Sequence, residues 1–137
     1  MRDTAVLYLD SNIFITAAVD LGELGKKTVA LLAEIQRGEV QAVTSALTFD
    51  EVFWEVKKHR GFEKAVETAE AMLSFPNLEL VSADREIVFS ALQIVKRYRM
   101  APRDAIHVAT AMAEKVDTFI SLDTDFNKVT ELQRESP

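Results

Sequence analysis

Short apolar runs alternate along this chain with segments whose apolar residues recur at helical spacing, and few architectures accept that alternation. Ala5-Val-Leu-Tyr-Leu9 is a continuous apolar run that stops at Asp10. Val40-Gln-Ala-Val-Thr44 is a second, Leu78-Glu-Leu-Val81 follows Pro76-Asn77, and Thr118-Phe-Ile-Ser-Leu122 is rich in β-branched and aromatic residues. Each reads as a strand. A fifth, weaker strand falls near Val129 to Leu132. Between them, Phe62, Ala65, Val66, Ala69, Met72 and Leu73 share one helix face, and Ile87, Val88, Ala91, Ile94, Val95 and Tyr98 repeat the spacing. Leu24 to Arg37 and Leu47 to Lys58 are helical as well, stopped by Gly38 and Gly61. Strands that alternate with helices imply a parallel sheet covered on both faces. The expectation is an α/β fold of three layers (α/β/α), with a central, mostly parallel sheet of four to five strands and a single domain over residues 1–137.

Composition narrows the chemistry. The chain has no cysteine, which excludes disulfides, iron–sulfur clusters, thiolate zinc sites and a cysteine nucleophile. His59 and His107 are the only histidines, too few for a multi-histidine zinc centre. Any metal site must therefore use oxygen ligands, which suit Mg²⁺, Mn²⁺ or Ca²⁺. The formal net charge of −6 is not the overall footprint of a nucleic-acid binder, which would need a local basic patch or bound cations. No apolar run is long enough to span a membrane. Asp10, Ser11 and Asn12 interrupt the apolar N-terminal stretch, so it does not read as a signal peptide, and the cytoplasm is the expected location.

Ligands of open α/β sheets bind beyond the carboxyl ends of the strands, so the residues just after each strand carry the most information. Strand one ends at Asp10-Ser11-Asn12 and strand four at Leu122-Asp123-Thr124-Asp125. Glu51 lies early in the helix after strand two, and Pro102-Arg103-Asp104 opens a late helix. Strand tips and helix N-termini meet at one edge of such a sheet, where Asp10, Glu51, Asp104 and Asp123 converge. Unit charges about 4 Å apart repel by roughly 4 kcal/mol at an effective dielectric of 20. A divalent cation held by carboxylates and water relieves that repulsion, and two such ions activate water and stabilise a leaving oxygen in phosphodiester cleavage. Each acid also has a structural reading. Asp10 suits an N-cap for a helix starting near Ile13, and Glu51 a capping box with Thr48. Asp104 suits a first helical turn, and Asp123 and Asp125 suit the cap of a short helix through Lys128. Their placement on one edge is the stronger signal.

With these acids in chain order, the sequence resembles the PIN-domain family of metal-dependent ribonucleases, and most of all the small VapC-type toxins of toxin–antitoxin pairs. The resemblance covers nearly the whole chain. It rests on Leu7-Tyr-Leu-Asp10-Ser-Asn12, Thr48-Phe-Asp-Glu51-Val-Phe, Asp104-Ala-Ile-His107-Val-Ala-Thr-Ala111 and Phe119-Ile-Ser-Leu-Asp123-Thr-Asp-Phe126. It implies a PIN-like domain in which Asp10, Glu51, Asp104 and Asp123 are the catalytic quartet that holds Mg²⁺ or Mn²⁺. Asn12 and Ser121 then support the quartet by hydrogen bonds. Asp125 caps the turn or supports the site, and Asp50 points elsewhere. The implied reaction is hydrolysis of RNA by a metal-activated water. The implied partners are an RNA substrate, a second copy in a homodimer and a small antitoxin, with no membrane.

Several residues fall outside the quartet. His107, one turn after Asp104, reads as a structural hydrogen-bonding residue within the helix layer. Lys96, Arg97, Arg99 and Arg103 form a basic run before Asp104 that suits either a solvated helix end or an RNA backbone. Lys57, Lys58, His59 and Arg60 read as a solvated helix C-terminus. Phe49, Phe53 and Trp54 read as core or dimer interface rather than base-stacking platforms. Two other functions fit a PIN-like chain: RNA maturation without an antitoxin, and a non-catalytic RNA-binding or scaffolding module. Degenerate scaffolds usually lose one or more acids, and all four positions are filled here. A phosphatase of the haloacid-dehalogenase kind wants Asp-x-Asp after the first strand, where this chain has Asp10-Ser11-Asn12.

Overall fold

The computed structural model describes residues 5–137. Its strands are Val6–Leu9 (β1), Gln41–Ser45 (β2), Leu78–Val81 (β3), Thr118–Ile120 (β4) and Arg134–Glu135 (β5). They pair in the order β3-β2-β1-β4-β5, every pair parallel. The helices are Ser11–Val19 (α1), Glu23–Gln36 (α2), Leu47–Arg60 (α3), Phe62–Leu73 (α4), Arg85–Tyr98 (α5) and Pro102–Ala113 (α6), with a short 3₁₀ helix at Thr124–Lys128. A strand buried on both faces reads as an unbroken apolar run, because alternate residues enter opposite cores. Tyr8, Val43 and Phe119 accordingly pack under α5 and α6, whereas Leu9, Ala42 and Ile120 pack under α1, α3 and α4. Among the described residues, no helix is long and apolar enough to cross a membrane.

The first four strands and the helices fall where the patterns place them, within a few residues. The fifth strand does not. Val129 to Leu132 is not a strand: Val129 is fully buried beside Phe126 and Leu132 packs against the same core, both on successive turns. The pairing with β4 begins two residues beyond Leu132, where Arg134 faces Phe119 and Glu135 faces Ile120. Apolar content marked the core plug, and the edge strand itself is polar, as edges tend to be.

Two glycines have a conformational reason. Gly61 stands at φ 91°, ends α3 and begins α4, so one residue makes the whole connection. Gly25 lets α2 approach the end of α1, for a Cβ there would lie 1.9 Å from the Asp20 carbonyl oxygen. That oxygen belongs to the backbone and cannot swing away. Gly25→Ala is expected to cost about 2 kcal/mol, the usual range for overpacking. Its melting temperature should fall by about 5–8 °C; a melt equal to the unaltered protein would contradict this close approach.

Candidate active site

The strand order reverses at β1, with β2 on one side and β4 on the other, and a cleft opens beyond the carboxyl ends at such a switch point. Asp10 follows β1 directly and Asp123 comes shortly after β4, with the Asp10 amide donating to the Ile120 carbonyl at 3.0 Å. Glu51 lies in the second turn of α3, and Asp104 in the first turn of α6 behind Pro102. The four acids thus come from four elements that end or begin at one sheet edge.

Asp10 is 5% exposed and tightly held. Its carboxylate accepts from the Ser11 amide at 2.8 Å, from Ser121 Oγ at 2.7 Å and from Asn12 Nδ2 at 3.2 Å. Asn12 Nδ2 also donates to Ser121 Oγ at 3.1 Å, and the Asn12 carbonyl oxygen accepts from the Leu122 amide at 3.3 Å. Ser121 Oγ accepts in turn from the Asp123 amide at 3.0 Å. Asn12 and Ser121 therefore link the two strand-end acids. Asp10 is at the same time the N-cap of α1. Asp123 caps the 3₁₀ helix by accepting from the Asp125 amide at 2.9 Å, while Asp125 itself is exposed. Asp50 is exposed too, apart from the cluster.

Glu51 does not form a capping box. Helix α3 starts at Leu47, two residues too early for Thr48 to cap it, and Thr48 is turned inward to bond Thr44 Oγ1 at 2.7 Å. The Glu51 carboxylate is instead 2.6 Å from His107 Nε2. His107 is fully buried, its Nδ1 lies 2.6 Å from the Tyr8 hydroxyl, and its Nε2 is 3.7 Å from Asp10. The histidine thus does not bond within its own helix layer; it ties α6 to β1 and α3. With the ring neutral, Nε2–H donates to Glu51 and the Tyr8 hydroxyl donates to Nδ1; with the ring charged, both N–H groups donate. Tyr8 was missed as a site residue. Its one signal was a phenol in an otherwise aliphatic strand, and the residue that answers it lies 99 positions away.

Charge is the site's dominant property. Burial holds the Asp10 carboxyl above the ordinary carboxylate range, and His107, Ser121 and Ser11 offset only part of that. Asp104 is also raised, by burial first and then by Asp10, against the pull of His107, with Asp123 and Glu51 adding to the rise. Burial works against a charged His107, but the bond to Glu51 and the charges of Asp10, Glu51 and Asp104 outweigh it and hold the ring above the ordinary histidine value. Burial and the Asp10 charge likewise keep the Tyr8 phenol protonated. All three raised groups, Asp10, Asp104 and His107, favour the folded state when protonated. For His107, that stability is complete below the unfolded pKa and fades as pH rises through the higher folded value. For the two acids, stability is lost as pH climbs from the unfolded carboxylate value through the raised folded one. In a chelator, the protein should melt higher at about pH 6 than at about pH 8. A higher melt at the alkaline pH would contradict these directions.

The donor chemistry fits a hard divalent cation: four carboxylates and no thiolate, with both His107 nitrogens already engaged. Burial and then the repulsion of Asp10, Asp123 and Glu51 disfavour a charged Asp104, and such a cation would relieve both. As the side chains stand, no group of three or more of them among the described residues is gathered closely enough to hold an ion. The fit is therefore one of donors and charge.

The four basic residues before Asp104 do not act as one patch. Arg97 turns to Glu131 at 3.6 Å, and Tyr98 bonds the same carboxylate. Arg99 takes the left-handed cap of α5, and Lys96 is exposed on that helix. Arg103 lines a groove beside Glu51. Trp54 and Phe49 are not core residues, being 55% and 44% exposed, while Phe53 is partly buried between Phe49 and Phe62.

Known proteins resemble this chain. The PIN-domain profile matches residues 7–132. Ribonuclease VapC2 of Methanocaldococcus jannaschii is 24% identical over 135 residues, covering 90% of this chain and 88% of its own. Among solved structures, the VapC20 toxin of Mycobacterium tuberculosis, described as cleaving the sarcin-ricin loop, superposes with a TM-score of 0.76 at 15% identity, over 90% of this chain and 94% of its own. VapBC2 of Rickettsia felis, solved on a promoter DNA fragment, gives 0.72 at 18% identity, over 96% and 98%. With nearly its whole length matched and its acids on the edge where the sheet order reverses, the chain belongs to the PIN-domain family.

Proposed function

We propose that this PIN domain is a metal-dependent endoribonuclease that hydrolyses RNA phosphodiester bonds, and that it is the toxin of a VapBC-type toxin–antitoxin pair. The observation that carries the reading is placement: Asp10 after β1, Asp123 after β4, Glu51 early in α3 and Asp104 in the first turn of α6 come to the one edge where the sheet order reverses. A fold does not keep four mutually repelling acids there for stability. The ribonuclease relatives and the toxin–antitoxin structures support the same reading.

Asp10, Asp104 and Asp123 would hold Mg²⁺ or Mn²⁺, and Glu51 would hold a second ion or place the attacking water. The bound ion supplies an activated water and neutralises the charge that develops on the phosphate. Asn12 and Ser121 fix the Asp10 carboxylate, and Asp123 is tied to Ser121 through its own amide. His107 and Tyr8 hold Glu51 at the cleft wall. Two bound divalent ions would also offset four of the six excess negative charges, which lets an acidic protein accept RNA. The proposed partners are an antitoxin and a second copy of the chain. Val88, Phe89 and Leu92, all about half exposed along α5, support a dimer face.

The test is incubation of purified protein with a mixed RNA pool in Mg²⁺, in Mn²⁺ and in excess EDTA. Cleavage should need the metal and leave a free hydroxyl on the departing ribose. EDTA-resistant cleavage, or cyclic phosphate ends, would contradict the proposal.

A further inference from the structure

We infer that the groove beside Glu51 is a subsite for one unpaired nucleotide of the RNA strand, with the Trp54 indole as the platform for its base and Lys58 and Arg103 holding its phosphate. This deepens the ribonuclease reading and rests on it. The groove measures about 440 Å³, and Ser11, Ile15, Glu51, Trp54, Lys58 and Arg103 line it. It is continuous with the acidic cluster at three points: Ser11 adjoins Asp10, Arg103 adjoins Asp104, and Glu51 belongs to both.

Trp54 is three residues after Glu51, so both side chains leave α3 on one face. The aromatic contacts of α3 run through Phe53, which meets Phe49 at 6.2 Å and Phe62 at 5.8 Å. The indole stands apart from them, with Lys57 Nζ 5.1 Å from its ring centre. Aromatic rings among cations are how proteins take single strands, since every base has a face to stack and every nucleotide a phosphate. A paired base offers no free face, and a groove of this size does not admit a double helix. Asp50 and Glu55 also lie on the wall, and Lys58 is paired with Glu55 at 3.0 Å, an exposed pair that an entering phosphate displaces. The cations on the wall are Lys58 and Arg103, with Lys57 beside the indole.

Trp54 is the sole tryptophan of the chain, so its fluorescence reports this groove alone. The experiment titrates Asp104→Asn protein with short single-stranded oligoribonucleotides of mixed sequence, and with the same strands annealed into duplexes. Cleavage by the otherwise unaltered protein is measured in parallel. Single strands should quench the tryptophan and duplexes should not. Trp54→Ala should weaken single-strand binding about tenfold and raise KM similarly with little change in kcat, and Trp54→Phe should recover most of both. Lys58→Ala and Arg103→Ala should each lower the salt slope of binding by about 0.7.

If the protein cleaves RNA but Trp54→Ala binds and cleaves as before, the subsite is wrong and the ribonuclease reading stands. If Trp54→Ala turns a dimer into a monomer and leaves RNA affinity unchanged, the indole faces another copy and the subsite is wrong. If the unaltered protein neither cleaves nor binds RNA, both fall together.

Discussion

Asp104→Asn should reduce RNA cleavage by on the order of 10³-fold while the protein folds and melts no lower than before. The two halves of this expectation have one cause. Asp104 sits in the first turn of α6 with its carboxyl pushed up by burial and by Asp10, Asp123 and Glu51. A carboxylate in that position is a burden to the folded chain unless a cation sits against it. The amide removes the charge at nearly constant shape, so the metal-free fold loses repulsion while the site loses a ligand. Asp10→Asn should also silence the site, but it is a poorer test. Asp10 accepts three hydrogen bonds and caps α1, and an amide keeps an acceptor on only one of its two positions. The structure thus separates two substitutions that sequence alone treats alike. Circular dichroism melts beside a cleavage assay would check both halves. A variant that is inactive because it is unfolded would contradict the electrostatic explanation.

His107→Ala should destabilise the fold by about 3–5 kcal/mol, lowering the melting temperature by on the order of 10 °C. The imidazole is fully buried and makes two bonds of 2.6 Å, one to Tyr8 and one to Glu51. Its removal takes one partner from the buried Tyr8 phenol, leaves the largely buried Glu51 carboxylate without the ring it bonds, and opens a cavity against the Tyr8 ring, whose centre is 5.7 Å from that of the imidazole. Among the described residues no buried side-chain polar atom lacks a partner, and removing the ring breaks that completeness at Glu51. Tyr8→Phe should cost less, about 1–2 kcal/mol, because it keeps the stack on Phe119 and loses a single bond. The two substitutions share a partner and should be far from additive in a double-mutant cycle. A His107→Ala melt within a degree or two of the unaltered protein would show that the bonds carry no weight.

Much of this was legible in the sequence, and the reason is periodicity. Strands buried on both faces leave unbroken apolar runs, and helices with one buried face leave spaced ones, so β1 to β4 and the helices could be placed from pattern alone. The acids stood out as candidates because each comes shortly after a strand or early in a helix, where the fold rule for ligand sites applies. What pattern could not supply was contact between distant residues. Glu51 looked like a capping-box acid because Thr48 precedes it by three, yet the start of α3 at Leu47 shifts the frame and frees it for His107. Val129 and Leu132 looked like a strand because they are apolar, yet they plug a core from a turn while the polar Arg134 and Glu135 make the pairing. Trp54 read as core or dimer interface; it is not core, and its exposure follows from where α3 meets the cleft. The basic run before Asp104 read as either a solvated helix end or an RNA contact, and the left-handed cap at Arg99 divides it between α5 and α6.

The central claim is that these four acids form one metal-dependent ribonuclease site. The most direct measurement is cleavage of a single RNA pool by the unaltered protein and by Asp104→Asn, with Mg²⁺ and with excess EDTA, while calorimetry follows Mn²⁺ binding to both. The claim predicts cleavage in Mg²⁺ alone, lost in the variant together with most of the Mn²⁺ binding. Undiminished cleavage by Asp104→Asn, or equal Mn²⁺ binding by the two proteins, would contradict it.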